Sequence, residues 1–230
     1  YLWHTFPDGA ATYALPDGGW VLVSNSEVPA PGGGAGAIVF DRQGTIVDAH
    51  PILEGTGSNC AGGPTPWGTW LSCEETATGQ VWECPVVEPA AAARPALGRF
   101  SHEAAAVDPK RGHVYLTEDD GASCFYRFTP TTKGDLSAGT LEVAVVRSNG
   151  AVRWVAVPDP SAATTPTRDQ VPEATRFRRG EGMWIDRDVV YFTTTSDDRV
   201  WAYDCGRRTI EVIYDGATNS DLPLHDPDNI

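Results

Sequence analysis

Apolar and polar positions alternate along most of this chain in short runs, with turn residues between one run and the next. The segments "TYALPDGGWVLVS", "AIVFDRQGTIVDA", "GTWLSCEE", "GQVWECPV", "HVYLTED", "CFYRFTP", "LEVAVV", "VVYFTTT", "RVWAYD" and "TIEVIYD" all read this way. A period of two, with Val, Tyr, Trp, Phe and Thr enriched, predicts β-strands joined by tight turns. No helical period longer than two turns competes with it. The stretch "AAAARPALGRF" can form a single turn, which Pro95 limits. The content of 24 Gly, 18 Pro and eight Trp fits the same all-β reading.

The strands fall into repeats. "EAAAVDPKRGHVYLTEDDGASCFYRF", from Glu103, aligns with "EGMWIDRDVVYFTTTSDDRVWAYD", from Glu181, if the first loop of the former is shortened by two residues. Val114-Tyr115 then falls on Val190-Tyr191, and the register is expected to hold without a further gap through Phe128 on Asp204. The earlier "CAGGPTPWGTWLSCEETATGQVWEC" fits the same frame and puts Cys60 where the others have Glu103 and Glu181. Four-stranded units of roughly 40 to 45 residues are the mark of β-propeller blades, with a β-sandwich as the alternative. The blades are expected near 10–50, 58–95, 101–148 and 177–216, with "HDPDNI" opening a fifth. The expectation is one propeller domain over 1–230, incomplete at its C-terminus.

In an antiparallel hairpin the start of the first strand and the end of the second share one edge of the sheet. Repeated in every blade, this gathers Cys60, Glu103, Glu181 and the Asp228-Asn229 pair at one mouth of the central channel. Asn25 and Glu27, Glu74 and Glu75, and Glu118 and Asp119 join them from the second-strand ends. Carboxylates packed so closely force each other's pKa up unless cations neutralise them. An oxygen-rich cage suits calcium, and a thiolate at Cys60 suits a softer transition metal. The bland alternative is a set of solvated turn acids.

The overall charge agrees with cation binding. With 31 acidic and 17 basic residues the formal net charge is −14, which repels nucleic acid and attracts metal ions. No apolar run of about 18 residues is present to span a membrane as a helix, and "YLWHTFPDGAA" does not look like a signal peptide. Five cysteines leave at least one thiol outside any intrachain disulfide. Cys60, beside Gly62 and Gly63, is that candidate, and Cys73 with Cys84 is a candidate disulfide within a blade.

The motifs "NCAGGPTPWGTWLSCEE", "GRFSHEAAAVDP", "YLTEDD", "RRGEGMW" and "PDN", in this order, resemble the PhoX-type alkaline phosphatases. The resemblance runs from about Phe6 to the last residue. It implies a six-bladed propeller of which this chain holds about four blades, an axial site with iron and calcium, hydrolysis of phosphate monoesters, and export to the periplasm or the cell exterior. By position, Cys60 matches the family's iron-binding cysteine, Glu103 and Glu181 its metal-bridging glutamates, and Arg179 a phosphate-contacting arginine. Asn25 and Glu27 match an Asn-His-Glu motif in which Ser26 stands for the His.

The site expected on this reading has Arg179 and Asn25 holding the phosphate of a small-molecule ester. Cys60, Glu103, Glu181, Glu27, Glu75, Asp119 and Asn229 hold the metals. A monomer is expected, with no nucleic-acid or membrane partner. No Gly-x-Ser-x-Gly motif calls for a serine nucleophile, and Ser101 beside His102 is not a triad. Two rivals remain open: a calcium-dependent propeller lactonase or esterase, and a non-catalytic propeller that binds a partner.

Overall fold

The structure, a computed structural model, describes residues 2–219 and 224–230. Strands β1 (Pro7–Ala14), β2 (Trp20–Ser26), β3 (Gly33–Phe40) and β4 (Ile46–Thr56) form the first antiparallel sheet, each paired with the next in sequence. The second sheet contains β5 (Gly63–Pro64), β6 (Thr69–Cys73), β7 (Val81–Pro85) and β8 (Ala92–Ala93). The third contains β9 (His102–Val107), β10 (Val114–Glu118), β11 (Phe125–Thr132), β12 (Asp135–Val146) and a further edge strand β13 (Val152–Ala156). The fourth contains β14 (Gly180–Asp186), β15 (Val189–Thr194), β16 (Arg199–Asp204) and β17 (Thr209–Asp215). Among the described residues the only helices are short 3-10 turns, one of them Pro95–Leu97. None is long and apolar enough to cross a membrane.

The burial pattern decides between sandwich and propeller. Three apolar layers separate the four sheets. Val21, Val23, Ile52 and Trp70 pack between the first and second; Leu71, Val81, Ala105, Leu116 and Phe128 between the second and third; Ala104, Tyr115, Phe125, Met183 and Phe192 between the third and fourth. Adjacent residues such as Trp70 and Leu71, or Ala104 and Ala105, serve opposite layers because successive side chains point to opposite faces of a strand. A two-sheet sandwich has one such layer. Here the two middle sheets bury both faces, so the sheets are blades stacked around an axis.

The repeat alignment is largely reproduced. Val114 pairs with Val107 and Val190 with Ile185, each four residues beyond Glu103 or Glu181. Its far end needs a correction. Val114 pairs with Phe128, whereas Val190 pairs with Tyr203, so Phe128 corresponds to Tyr203 rather than Asp204. The turn leading into β11 is one residue longer than the 3-10 turn Thr195–Asp197 permits before β16. The expected Cys73–Cys84 disulfide is not formed, and all five cysteines are free. Cys73 lies opposite Val81 and faces the third blade, while Cys84 lies opposite Trp70 and faces the first. Opposite faces of a sheet, with a stagger of about 10 Å along the strands, exceed what a disulfide can bridge.

Candidate metal centre

Each innermost strand opens with the same irregularity. Pro7 pairs with Ser26, but the ladder slips by one residue before Ala10 pairs with Ser24. The same slip separates Asn59–Glu74 from Gly63–Leu71, His102–Glu118 from Ala105–Leu116, and Gly180–Thr194 from Met183–Phe192. A bulge inserts one extra residue and re-aims a side chain. The residue that follows the first pair in each blade is Asp8, Cys60, Glu103 or Glu181. The residue that follows its partner on the second strand is Glu27, Glu75, Asp119 or Thr195. These eight side chains, with Arg179, Asp226 and Asp228, line one cavity of about 390 Å³.

The glycines of "NCAGG" serve close approach. Gly62 has φ +74°, and a Cβ there would sit 2.1 Å from the Leu71 carbonyl oxygen. A Cβ on Gly63 would sit 1.8 Å from that of Ala105. Without side chains at these positions the innermost strands of neighbouring blades can touch, and Gly62 N donates to Glu103 O at 2.9 Å. Cys60 and Glu103 are thereby brought side by side. Likewise, Gly182 N donates to Asp228 O at 2.8 Å, which places Asp228 beside Glu181.

Three groups of donors have ligand atoms within 4.8 Å of one another: Asp8, Glu27 and Cys60; Cys60, Glu75 and Glu103; Glu103, Glu181 and Asp228. Cys60 and Glu103 each belong to two groups, so the groups form a connected row. The Cys60 thiol points at Asp8 Oδ2, 3.1 Å away. Apart from that thiol, whose single proton serves either Asp8 or Glu103, neither oxygen of Glu103 has a hydrogen-bond partner, although the residue is only 1% exposed.

Electrostatics follow the geometry. Burial, then the nearby Glu181, Glu75 and Asp8, hold the Glu103 carboxyl well above the ordinary carboxylate range, against the opposing pull of the adjacent Cys60 thiol. Burial, a hydrogen bond with Asp119 and the charges of Asp119, Glu27 and Glu181 lift Glu75 to about 8. Glu181 is lifted to about 7 by burial and by Asp119, against the hydrogen bond from Thr195. Burial, with Glu103 and Asp8 alongside, pushes the Cys60 thiol far up. Every one of these shifts opposes the charged form, and a cation would reverse them all.

Among the described residues, Arg179 is the cationic side chain that lines this cavity. Its Nε and Nη2 grip Asp119 at 2.7 and 2.6 Å, and Nη2 also lies 3.3 Å from Glu181. An extended segment is expected to send Arg179 and Glu181 to the same side. Both do reach the cavity, but Arg179 has φ +57°, so a left-handed turn rather than strand alternation aims it.

The expected site residues divide. Cys60, Glu103, Glu181, Glu27, Glu75, Asp119 and Arg179 converge. Asn25 does not join them. It is fully buried, its Oδ1 accepts from Trp70 Nε1 and Ser72 Oγ at 2.8 Å, and its Nδ2 donates to the Cys60 carbonyl. With all its polar atoms engaged it holds the Cys60 loop and is not free to hold phosphate. Asn229 is also displaced, because it packs over Gly182 and lines a separate cavity of about 150 Å³ with Gly9 and Ala61. Its neighbour Asp228 occupies the centre instead.

Of each acid pair on a second strand, only one member turns inward. Glu74 accepts from Trp82 Nε1 and from the backbone of Gly57 and Gln80, and Glu118 is held by Arg168 and Tyr126. His102 is buried against Phe100, its Nε2 lies 3.1 Å from the Gly98 carbonyl oxygen, and burial lowers its pKa to about 3. Asp8 is absent from the expected set, although "PDGAA" shows an acid-glycine step before an alternating run as "GEGMW" does. Thr195 and Asp226 carry no comparable signal.

Comparison with known proteins adds to this picture. The family model described as alkaline phosphatase PhoX matches residues 23–86 and 77–220. Pseudomonas fluorescens PhoX, solved in complex with vanadate as a transition state analogue, shares the fold at a TM-score of 0.73 and 18% identity. The match covers 90% of this chain and 66% of that one, so the chain spans just under two thirds of that relative's length. A puromycin-hydrolysing peptidase of Mycobacterium tuberculosis matches at a TM-score of 0.51 and 11% identity, over 98% of this chain and 30% of that one. No curated protein matches.

Proposed function

Since this chain belongs to the PhoX alkaline phosphatase family, we propose that its axial cavity hydrolyses phosphate monoesters with the help of bound cations. The observation that carries this reading is Glu103, a buried carboxylate with two unpartnered oxygens between Cys60 and Glu181. A carboxylate so placed is costly alone and stabilised by a cation. The donors fit the groups that the resemblance implies. The thiol end, with Cys60 and Asp8, suits iron, and the all-oxygen end, with Glu103, Glu181 and Asp228, suits calcium. When bound, the ions supply Lewis acidity toward the phosphoryl oxygens and neutralise charge that develops during transfer.

The remaining work falls to the chain's own groups. Arg179 is fixed by Asp119 and presents its guanidinium at the cavity mouth, where a fork of donors matches phosphate oxygens. Thr195 donates to Glu181 Oε1 at 2.7 Å and so holds that carboxylate toward the centre. The cavity wall contributed by the first three blades carries only acids and one thiol, from Asp8 through Cys60 to Asp119. A bare phosphate dianion would be repelled from such a wall, which makes cation loading a condition for substrate entry. Vanadate in the Pseudomonas protein supports a small phosphate ester as substrate. The six-bladed ring and the location outside the cytoplasm are parts of the same proposal.

The test is hydrolysis of p-nitrophenyl phosphate together with metal analysis, before and after chelation and on readdition of iron and calcium. Turnover that requires both ions supports the reading. A protein that binds neither ion, or whose turnover is indifferent to chelation, overturns it.

A further inference from the structure

A second cavity of about 390 Å³ lies between the third and fourth blades and shares no residue with the axial one. Arg127, Glu142, Arg147, Arg153, Trp154 and Arg208 line it. Four guanidiniums face one carboxylate here, in a chain whose formal net charge is −14. We propose that this groove is a binding site for an organic phosphate.

Two of the arginines are already engaged. Arg127 pairs with Glu142 at 2.7 Å and stacks over the Trp154 ring at 4.8 Å, and Arg153 reaches Glu173 at 3.2 Å. Arg147 and Arg208 have no side-chain hydrogen bond or ion pair among the described residues. They come from two backbones laced together. Val152 N donates to Arg208 O at 2.8 Å, and Ile210 N donates to Gly150 O at 2.9 Å. Arg147 opens a turn closed by Gly150 N, and Arg208 sits at φ +57° with its own N–H bonded to Asp204 O.

The two uncommitted guanidiniums are therefore mounted on an ordered scaffold across one groove. Guanidinium forks match the tetrahedral oxyanion of a phosphate, and two of them can share its oxygens. Trp154, half-buried beneath the Arg127 guanidinium with its Nε1 donated to Tyr203 Oη, lines the groove beside them. The cavity volume suits a small organic phosphate better than a bare ion. The chemistry is that of the phosphate group, and the two sources to be told apart are a phosphoester and free phosphate.

The test titrates the metal-loaded protein calorimetrically at low ionic strength with phenylphosphonate, whose C–P bond resists hydrolysis, and with inorganic phosphate. An Arg179→Ala background removes the arginine of the axial cavity while its cations stay, and the groove variants made in that background assign the site to the groove. The expected result is one saturable site that survives Arg179→Ala, favours phenylphosphonate over inorganic phosphate, and weakens about tenfold or more in Arg147→Gln/Arg208→Asn. Asparagine tolerates the left-handed backbone at 208, and the single Arg147→Gln variant, in an exposed turn, serves if the double variant folds poorly. Affinity should also fall with added salt. Absence of a saturable site in the Arg179→Ala background, or unchanged affinity in the groove variants, overturns the proposal whatever the axial activity proves to be.

Discussion

Glu103→Gln is expected to stabilise the metal-free protein and weaken the metal-loaded one. Without cations, Glu103 is 1% exposed and neither of its oxygens is hydrogen-bonded. A buried polar group left in that state costs about 1–3 kcal/mol, and more when charged. Glutamine has nearly the same shape, carries no charge and offers two N–H donors to the surrounding carboxylates. The expected gain is about 1–3 kcal/mol, or roughly 3–10 °C in Tm for a chain of this size.

The gain has a definite pH dependence. Burial first, then Glu181, Glu75 and Asp8, raise the folded pKa of Glu103 above its unfolded value of about 4.3. Below that unfolded value the carboxyl is protonated in both states and carries no penalty for ionisation, only the cost of its unpartnered oxygens. The penalty grows as pH rises above it, because the unfolded chain ionises first. The Glu103→Gln substitution should therefore help least at about pH 4 and markedly more at about pH 8. In the loaded protein the sign reverses, since each tenfold loss of cation affinity removes about 1.4 kcal/mol of ligand stabilisation. Scanning calorimetry in chelator and in iron plus calcium, at both pH values, measures all four corners. A glutamine variant that melts below wild type in chelator at the higher pH would refute the claim that this carboxylate is strained without a cation.

Other perturbations separate the roles within the cavity. Arg179→Ala should lower turnover of p-nitrophenyl phosphate with cation content unchanged, whereas Glu181→Ala should lose cation and turnover together; equal kinetics in wild type and both variants would remove the phosphatase assignment. Cys60→Ser should reduce iron more than calcium in metal analysis and leave the circular dichroism spectrum intact, because a hydroxyl replaces a thiolate poorly as a soft ligand. Asn25→Ala should act on stability, since it strips partners from Trp70, Ser72 and the Cys60 carbonyl. A loss of about 2–4 kcal/mol in denaturant unfolding is expected, and an unaffected midpoint would count against its role as a brace. Chelation should lower Tm more at about pH 8 than at about pH 5, because Glu75 and Glu181, held up to about 8 and about 7, ionise across that window.

Much of the cavity was readable in the chain because blades repeat. Once Glu103 and Glu181 stood in register, Cys60 followed from the shared frame, and the second-strand ends brought Glu27, Glu75 and Asp119. Where reading failed, the cause was local geometry. A one-residue difference in turn length misplaced Phe128 by one position. Asn25 and Glu27 lie two apart and read alike, yet Asn25 belongs to the ladder and faces Trp70 while Glu27 lies just past it. Asp228 and Asn229 are adjacent acceptors, and only the turn after Pro227 decides which of them meets Glu181. The Cys73–Cys84 pairing was plausible by separation along the chain and impossible by face.

Alternation and turn spacing are properties of the sequence itself, because side chains of a strand must alternate and a repeat must return its termini to the same edge. They determined the all-β class, the four blades and the gathering of acids at one mouth. What tertiary structure alone decided was the aim of individual side chains. The bulge that opens each innermost strand turns Asp8, Cys60, Glu103 and Glu181 to the axis, and close approach at Gly9 and Gly63 lets the innermost strands of the first three blades touch beside it. The enclosure of Glu103, and the placing of Arg147 and Arg208 along one groove between two blades, likewise arise only when sheets distant in sequence pack, since neither depends on any interaction within a single strand.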